Sequence, residues 1–435
     1  MTWFFRATAL AVLTLLLGCN PVTTSNTSST VAARLAPPTD PGGPAVSFPD
    51  RWEMPESARP NDATISLYED NRREWRRRLV NSGDIFVISP AGNAVPFRRA
   101  PTPQSAVVEG QLEQGYLLNY LYYDNGVIQY DGLAANGRFR RDLNNDTLFF
   151  THSSGKSITS YIVGHAICEG HISSVDEVID WPMMRDTLYQ GQPLRNLLNM
   201  KAGDRHVVDQ GTNRIIGSTL HNRDMGLDTA AFLLRGTEPR GSSFFYNNFV
   251  TDVIEGYTAF KAGSDYPSLV RRVFRDKIRI ADTVSIFQRP RTLTNGARSP
   301  YYGQPQARAT YHYLITRMDF LRVAQAMMRD YQTNTCVGQY LRQMQAQAVP
   351  SGFYRPNDGN SWMWLHSYAR QYGGQFYFGF DGMRGRNIMG TMGLNGQNML
   401  IDLDASRIVV TNAAATGWDV QRLVVDVIRN GKLPN

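Results

Sequence analysis

The alternation of apolar and polar residues predicts strands near both ends of the chain. Residues 116–133 read YLLNYLYYDNGVIQYDGL, in which β-forming residues surround the turn sequence at 124–126, a pattern typical of a hairpin. Short apolar stretches at 398–402 and 407–412 predict a second pair of strands joined by a polar turn. The sequence therefore indicates one sheet that is built from the two ends of the chain.

Helical spacing of apolar residues dominates the region between these strands. It predicts helices at 157–169, 250–255 and 319–330, while another at 65–80 precedes the first strands and a last one at 419–429 closes the chain. The predicted fold class is therefore α/β: an antiparallel sheet flanked by helices, with an inserted mostly helical domain.

The N-terminus predicts an exported protein. A basic residue, Arg6, and an apolar run at 9–17 lead into LLGC at 16–19, which resembles a bacterial lipobox. We predict a lipoprotein signal peptide at 1–19 that is cleaved before Cys19, with lipid attached to that thiol. An ordinary cleaved signal peptide is the alternative.

Three further segments follow this signal. Residues 20–62 are rich in Ser, Thr, Pro and Gly and predict a flexible tether, and residues 63–109 are interpreted as an N-terminal extension of the domain at 110–430. The predicted location is the bacterial cell envelope, on the periplasmic side, with the membrane as a partner through the lipid anchor.

Composition and charge exclude one class of partner. The chain has 435 residues, 42% of them apolar and 19% charged, and its net charge is +7. Basic residues are scattered except at 72–78, which reads RREWRRR and is interpreted as a solvated helix face. Because no aromatic or motif pattern of a nucleic-acid surface accompanies it, nucleic acid is not a predicted partner.

Two cysteines remain after the predicted lipidation site. The cell envelope permits a disulfide between Cys168 and Cys336. Because Cys168 lies in an apolar helical pattern, however, we predict that it is a buried free thiol, which is a common state of cysteine in protein interiors.

Lysine is scarce in this chain, since only five of its 45 basic residues are lysine. One of them, Lys156, follows Ser153 by three residues in FFTHSSGKSIT, the only S-x-x-K sequence present. Residues three apart share a face at the start of a helix, and lysine, unlike arginine, can lose its proton and act as a base. We therefore predict a nucleophile and its base; a helix cap and a surface charge are the alternative.

Two downstream patterns fit the same chemistry. Tyr246 and Asn248 stand two residues apart before a predicted helix, where a phenol that relays protons and an amide that holds the lysine or substrate can face one cleft. Gly390, Gly393 and Gly396 form a glycine-dense loop whose backbone N–H groups are suited to bind an oxyanion. Taken alone, the pair of Tyr246 and Asn248 is also typical of a packed tyrosine and a helix-capping asparagine. The glycine-dense loop alone is also typical of a tight turn that leads into a strand.

These features, in this order, resemble the serine β-lactamase and penicillin-binding superfamily. The nearest branch is the class C β-lactamase-related hydrolases, which include family VIII esterases and 6-aminohexanoate-dimer hydrolases. LRNLLNMKAGD at 194–204 and TYHYLITRMDFLRVAQAMMRD at 310–330 also resemble segments of this branch, so the likeness spans 110–430. The resemblance implies that Ser153 is acylated, that Lys156 activates it, and that Tyr246 carries protons to the leaving group. Asn248 is then part of the substrate site.

The third motif of the family, usually K-T-G, H-T-G or H-G-G on an inner strand, fits two registers. One begins at Thr391 and ends at Gly393, so that Leu394 follows it; the other begins at Leu394 and ends at Gly396, so that Gln397 follows it. The resemblance implies an oxyanion hole formed by the N–H groups of the nucleophile and of the residue after this motif. Neither register has Lys or His in first place, which argues against β-lactam and D-Ala-D-Ala substrates.

The resemblance implies a serine hydrolase that cleaves a small-molecule ester, amide or peptide substrate through an acyl-enzyme on Ser153. It requires no metal and no organic cofactor. Trp362, Trp364, Tyr377 and Met392 hint at an apolar acyl pocket, although packing in the core is the commoner role of such residues.

Three other interpretations compete with the serine hydrolase. A lipid-anchored, catalytically weak relative that binds the cell wall, as penicillin-binding proteins do, is the main alternative. A metal site drawn from His165, Glu169 and His171 fits no recurring ligand spacing. A histidine-based serine hydrolase is disfavoured because no G-x-S-x-G nucleophile elbow is present.

Overall fold

The computed structural model describes residues 85–101, 103–113, 116–134, 143–205, 207–209, 214–217, 227–288, 309–359 and 361–435. The predicted signal peptide, tether and helix at 65–80, together with Cys19, lie outside the described residues and stay predictions.

Fifteen strands lie in the described part of the chain. In chain order they are β1 Ile85–Ile88, β2 Arg98–Arg99, β3 Leu117–Asp124, β4 Val127–Leu133, β5 Leu148–Phe150, β6 Val207–Asp209, β7 Arg214–Gly217, β8 Val284–Gln288, β9 Ala309–Thr316, β10 Val349–Pro350, β11 Ala369–Gly373, β12 Phe376–Phe380, β13 Ile388–Gly393, β14 Gln397–Asp402 and β15 Arg407–Ala413.

The largest sheet joins the two ends of the chain, as the strand pattern predicts. It has nine strands in the order β10-β11-β12-β13-β14-β15-β3-β4-β2, and only the β2–β4 pair is parallel. The predicted hairpin at 116–133 is confirmed as β3 and β4, whose turn residues Asn125 and Gly126 both have positive φ, 47° and 89°. A two-residue turn of this kind matches the twist of the strands it joins.

The prediction of a single sheet is wrong. A second, four-stranded antiparallel sheet has the order β1-β8-β9-β5, and a two-stranded one pairs β6 with β7. Strands β8 and β9 lie in the region that reads as helical, and two of the three pairings, β1 with β8 and β5 with β9, join parts that are remote in sequence. Local patterning alone therefore did not reveal this sheet.

Nine α-helices lie in the described residues. They are α1 Ala106–Glu113, α2 Gly155–Cys168, α3 Leu194–Leu198, α4 Leu227–Leu233, α5 Asn248–Ala262, α6 Tyr266–Arg271, α7 Arg317–Gln332, α8 Cys336–Ala346 and α9 Asp426–Asn430. The π-helical segments Arg272–Ile278 and Gln421–Val425 extend α6 and precede α9. Shorter 3-10 turns lie at His152–Ser154, Pro182–Met184, Gly263–Asp265, Ser361–Met363 and Leu365–Tyr368. The predicted helices at 157–169, 250–255, 319–330 and 419–429 are thereby confirmed, with shifted ends.

Helix α2 runs through the interior of the protein. All its residues from Gly155 to Ala166 are buried, including four hydroxyl-bearing ones that find partners on surrounding elements. Ser157 donates to the backbone oxygen of Gln375, and Ser160 shares a hydrogen bond with the phenol of Tyr340. A helix that is buried on every side holds its first turn in a fixed place, and that turn carries the predicted nucleophile and base.

The two cysteines form a disulfide, so the prediction of a free thiol at Cys168 is wrong. Cys168 ends α2 and Cys336 begins α8, and their α carbons are 5.8 Å apart. Helices α2 and α8 pack side by side, as the contact of Ser160 with Tyr340 shows. Their pairing depends on tertiary structure that cysteine spacing does not encode. None of the helices in the described residues is both long enough and apolar enough to cross a bilayer.

Candidate active site

Residues 151–154, here called the serine turn, connect β5 to α2. The backbone N–H of Thr151 donates to the carbonyl oxygen of Tyr313 in β9, and the N–H of Tyr313 donates to Thr151 Oγ1. His152 adopts a left-handed conformation with φ of 49°, which turns the chain sharply before Ser153. The serine turn is therefore fixed to the four-stranded sheet on one side and to α2 on the other.

Ser153 and Lys156 meet at the start of α2. The Nζ atom of Lys156 lies 3.1 Å from Ser153 Oγ and donates a hydrogen bond to it. Lys156 is 1% exposed, whereas Ser153 is partly exposed. The spacing of three residues thus gives a buried amine in contact with an alcohol that a substrate can reach.

Tyr246 lies on the other side of the same amine. The centroid of its ring is 5.1 Å from Lys156 Nζ, and its phenol is hydrogen-bonded to Ser153. Burial raises the pKa of Tyr246 above its usual value, and the bond to Ser153 opposes that shift. The phenol therefore remains protonated at neutral pH. Two groups that can carry protons contact one serine oxygen.

An asparagine pair follows Tyr246 at the start of α5. The buried Asn247 is the helix cap, because its side-chain oxygen accepts from the N–H of Phe249 at 2.8 Å. Asn248 is the first residue of α5 and is half-buried. Sequence reasoning gave the capping role to Asn248 as the alternative to a substrate contact, and the structure gives that role to its neighbour.

Strand β13 packs directly against the serine turn. Thr391 is fully buried, and its Oγ1 donates to Ser154 Oγ at 3.0 Å; Ser154 in turn donates to the backbone oxygen of Gln397. A Cβ atom at Gly393 would lie 2.2 Å from the carbonyl oxygen of Thr151. Only glycine permits so close an approach of the two backbones.

The residues of the second register form the turn between β13 and β14. Asn395 has φ of 67°, and its amide donates to the carbonyl oxygen of Ala414. Gly396 has φ of 108°, and a Cβ atom there would lie 2.5 Å from the ring of Trp418. The side chain of Gln397 is buried and donates to Ala413 O. The residues of the second register therefore form the turn of the β13–β14 hairpin, whereas those of the first register, Thr391 to Gly393, lie on strand β13.

Two backbone N–H groups at the junction of β13 and the serine turn, those of Ser153 and Leu394, are candidates to bind an oxyanion. Within the described residues, neither the N–H of Ser153 nor that of Leu394 donates to a protein oxygen. Ser153 begins the turn into α2, and Leu394 directly follows Gly393, the residue that touches the serine turn. Both groups are therefore available to an added ligand.

Sequence reasoning missed two residues that complete the surroundings of Tyr246. The ring of Phe353 lies 5.5 Å from that of Tyr246, and the ring of His366 lies 4.6 Å from that of Phe353. His366 Nδ1 also lies 2.6 Å from Met392 Sδ. The aromatic-rich segment WMWLHSY at 362–368 is the one local signal for this region, and it is equally typical of core packing.

The predicted apolar residues divide into two groups. Tyr377 is buried in the core, and the ring of Trp364 stacks on that of His366 at 5.7 Å. Met392 is half-buried and borders the site, whereas Trp362 is 36% exposed. Trp364, Tyr377 and Met392 therefore share a contact with His366, which the sequence did not reveal.

A surface cluster offers the only group of potential metal ligands among the described residues. Ligand atoms of Glu169, His171 and Asp265 lie within 4.8 Å of one another. Arg272, however, makes ion pairs with both carboxylates and so offsets one of their two negative charges. His165 is not part of this cluster; burial lowers its pKa to about 4.

Comparison with solved structures identifies the fold. The chain resembles a Bacillus anthracis protein provisionally assigned as a 6-aminohexanoate-dimer hydrolase, with a TM-score of 0.59 and 15% identity over 84% of this chain and 96% of that one. It also resembles SurE, solved with D-Leu, with a TM-score of 0.50 and 16% identity over 76% and 75% of the two chains. Comparisons with family models and with curated proteins give no match.

These structural similarities establish the fold and not the activity, because the sequence identities are low. The chain adopts the fold that these two solved structures share. The α/β fold class predicted from the sequence, with an antiparallel sheet flanked by helices, is confirmed.

Proposed function

We propose that this protein is a serine hydrolase that cleaves a carboxylic ester or amide through an acyl-enzyme on Ser153. The observation that carries the proposal is the contact of one serine oxygen with both the buried amine of Lys156 and the phenol of Tyr246. Burial disfavours the charged form of an amine, which suits a base. Two proton carriers on one partly exposed alcohol are the arrangement expected of an activated nucleophile.

The first half of the reaction forms the acyl-enzyme. Neutral Lys156 accepts the hydroxyl proton while Ser153 Oγ attacks the substrate carbonyl, whose oxygen becomes negatively charged. The N–H groups of Ser153 and Leu394 bind that oxyanion. The bond to the leaving alcohol or amine then breaks, and the leaving atom takes a proton from Tyr246, which recovers one from Lys156.

The second half releases the acid. Water attacks the acyl carbonyl and gives a proton to neutral Lys156. The bond to Ser153 Oγ then breaks, and Ser153 Oγ takes that proton back through the same pair of groups, which restores the free enzyme. Every step uses groups of this chain, so the proposal calls for no metal and no organic cofactor. The assignment of Leu394 follows the first register, since strand β13 approaches the serine turn through Gly393. Asn248, on the first turn of α5, is proposed as a substrate contact.

The test of the proposed function uses two neighbouring serines. Ser153→Ala is expected to abolish hydrolysis of 4-nitrophenyl esters and labelling by a fluorophosphonate. Ser154→Ala is the matched control, because Ser154 is fully buried and bonded to Thr391 and Gln397. It is expected to keep the label, which mass spectrometry should locate on Ser153. Undiminished turnover by Ser153→Ala would overturn the proposal.

The same experiment separates an enzyme from a binding protein. A catalytically weak relative that binds the cell wall would accumulate as a stable acyl-enzyme after mixing with an ester or a penicillin. A hydrolase is expected to return to the free mass within its turnover time. Intact-protein mass spectrometry over minutes distinguishes the two outcomes.

We also propose that the protein is exported and anchored by lipid on Cys19. The disulfide between Cys168 and Cys336 supports an oxidising compartment, since cytosolic thiols are kept reduced. Metabolic labelling with an alkyne fatty acid is expected to mark the wild-type protein and to fail for Cys19→Ser. Equal labelling of both would contradict the anchor.

A further inference from the structure

Phe353, His366 and Met392 form a continuous surface, here called the wall, on the side of the site that adjoins Tyr246. Ring contacts run from Tyr246 to Phe353 at 5.5 Å and on to His366 at 4.6 Å, and His366 reaches Met392 at 2.6 Å. Met392 directly precedes Gly393, which touches the serine turn. The wall thus connects Tyr246 to the strand that packs against the serine turn.

The wall is accessible and carries no charge. All three of its residues are half-buried, so each presents part of its surface outward. Burial, and then the charge of Arg355, lower the pKa of His366 to about 3, so the imidazole is neutral at physiological pH. Its Nδ1 faces Met392, and its Nε2 has no protein partner in the described residues. A neutral hydrogen-bonding group therefore lies in an otherwise apolar surface.

The strand beside the wall also lacks the charge that a carboxylate needs. Thr391 stands where the resembled family has Lys or His, and its hydroxyl is buried against Ser154. The next residue, Met392, fills the neighbouring place with a thioether. An anion held here would lose its hydration without gaining a cation from this strand, which is costly. The exposed Arg355, whose charge acts on His366, offers only a solvent-screened cation from outside the strand.

The position of Tyr246 indicates which part of a substrate meets the wall. In the proposed mechanism Tyr246 protonates the leaving atom, and Phe353 packs on the ring of Tyr246. The group attached to the leaving atom therefore extends along the wall. The acyl chain lies on the opposite side of the carbonyl.

We propose that the wall is the leaving-group subsite and that it selects an uncharged, apolar or aromatic alcohol or amine over one that carries a carboxylate. This inference rests on the proposed function. Met392 and His366 are then specificity-determining residues: the first excludes an anion, and the second offers a neutral hydrogen bond to a polar uncharged group.

Two isosteric esters test the selectivity. 3-Carbamoylphenyl acetate and 3-carboxyphenyl acetate share the acyl group and the ring and differ in one charge. The wild type is expected to show kcat/KM at least about tenfold higher for the carbamoyl ester, an effect equal to about 1.4 kcal/mol. Met392→Lys is expected to shift this ratio about tenfold toward the carboxylate ester by pairing with it. An unchanged ratio in a folded Met392→Lys variant would overturn the proposal.

Met363→Lys is the matched control. Met363 is also half-buried and lies in the preceding 3-10 turn, Ser361–Met363, so the variant adds the same charge nearby but off the wall. It is expected to leave the ratio unchanged.

If Met392→Lys does not fold, a second variant tests the wall. His366→Phe keeps an aromatic ring and removes the hydrogen bond. That variant is expected to lose about fivefold on the carbamoyl ester and little on phenyl acetate; equal losses on both would overturn the role of His366.

Binding of the product phenols separates the subsite from the catalytic proposal. Calorimetric titration with 3-hydroxybenzamide and 3-hydroxybenzoate measures the leaving-group site without any turnover. Tighter binding of the benzamide by at least about tenfold supports the subsite even if Ser153→Ala shows that hydrolysis does not depend on Ser153. Equal affinities would overturn the subsite while leaving the hydrolase proposal to the Ser153→Ala test.

Discussion

The two sides of the candidate site are assembled in different ways. Ser153 and Lys156 are three residues apart on one helix, and their contact follows from the geometry of a helical turn. The wall opposite them combines residues from three separate segments, Phe353, His366 and Met392, which only the folded sheet brings together. Chemistry that depends on local spacing is thus readable from sequence, whereas the surface that we propose to select the substrate is not.

The largest effect is expected on the locally assembled side. Lys156→Arg keeps most of the length but replaces the amine by a permanently charged group that cannot act as a base, because arginine does not deprotonate in proteins. We expect kcat/KM for a 4-nitrophenyl ester to fall by about three orders of magnitude. Lys201→Arg, a change at a partly exposed lysine in a loop, is the control and should be silent. Retained activity in Lys156→Arg would mean that this amine serves only as a charge.

Removing the disulfide shows whether helix α2, which carries Lys156, also depends on contacts with distant segments of the chain. It joins the end of α2 to α8 across a sequence separation of 168 residues. Replacing both cysteines by serine is expected to lower the free energy of unfolding by roughly 2 to 5 kcal/mol, the range typical of removing a native disulfide. Urea unfolding with and without reductant measures this. The wild type should respond to reductant and the double variant should not; a wild type that is indifferent to reductant would show that the link adds no stability.

Smaller effects are expected from two variants, Tyr246→Phe and Phe353→Leu, which separate proton transfer by the phenol from substrate binding by the wall. Tyr246→Phe keeps the ring that packs on Phe353 and removes the phenol, so kcat is expected to fall about a hundredfold with KM nearly unchanged. Phe353→Leu keeps the phenol and trims the wall, so KM for aryl esters is expected to rise by several-fold while kcat changes little. Steady-state kinetics of the two variants should therefore show opposite patterns. Loss of kcat in both would erase the distinction between the two sides.

The sequence predicted most elements whose pattern is local. The hairpin of β3 and β4, the helix that carries Lys156 and the final strand pair all follow from short-range periodicity and turn residues. Similarity to a family supplied the grouping of Ser153, Lys156 and Tyr246, and the structure brings these three together.

What the sequence did not reveal depends on contacts between distant segments. The four-stranded sheet pairs β1 with β8 and β5 with β9, and no local signal specifies such partners. The pairing of Cys168 with Cys336 depends on two helices that pack side by side. Phe353 and His366 carry no motif, and their place next to Tyr246 follows from the topology of the sheet rather than from their neighbours in the chain.

The close contact between β13 and the serine turn has a consequence for how the protein matures. Ser154 and Gln397, which bond to each other at this junction, are separated by 243 positions. A nascent chain therefore holds its serine, lysine and tyrosine long before it has Leu394, whose N–H is proposed to help bind the oxyanion. If the proposed function holds, activity is expected to begin only once the last strands have closed onto that turn.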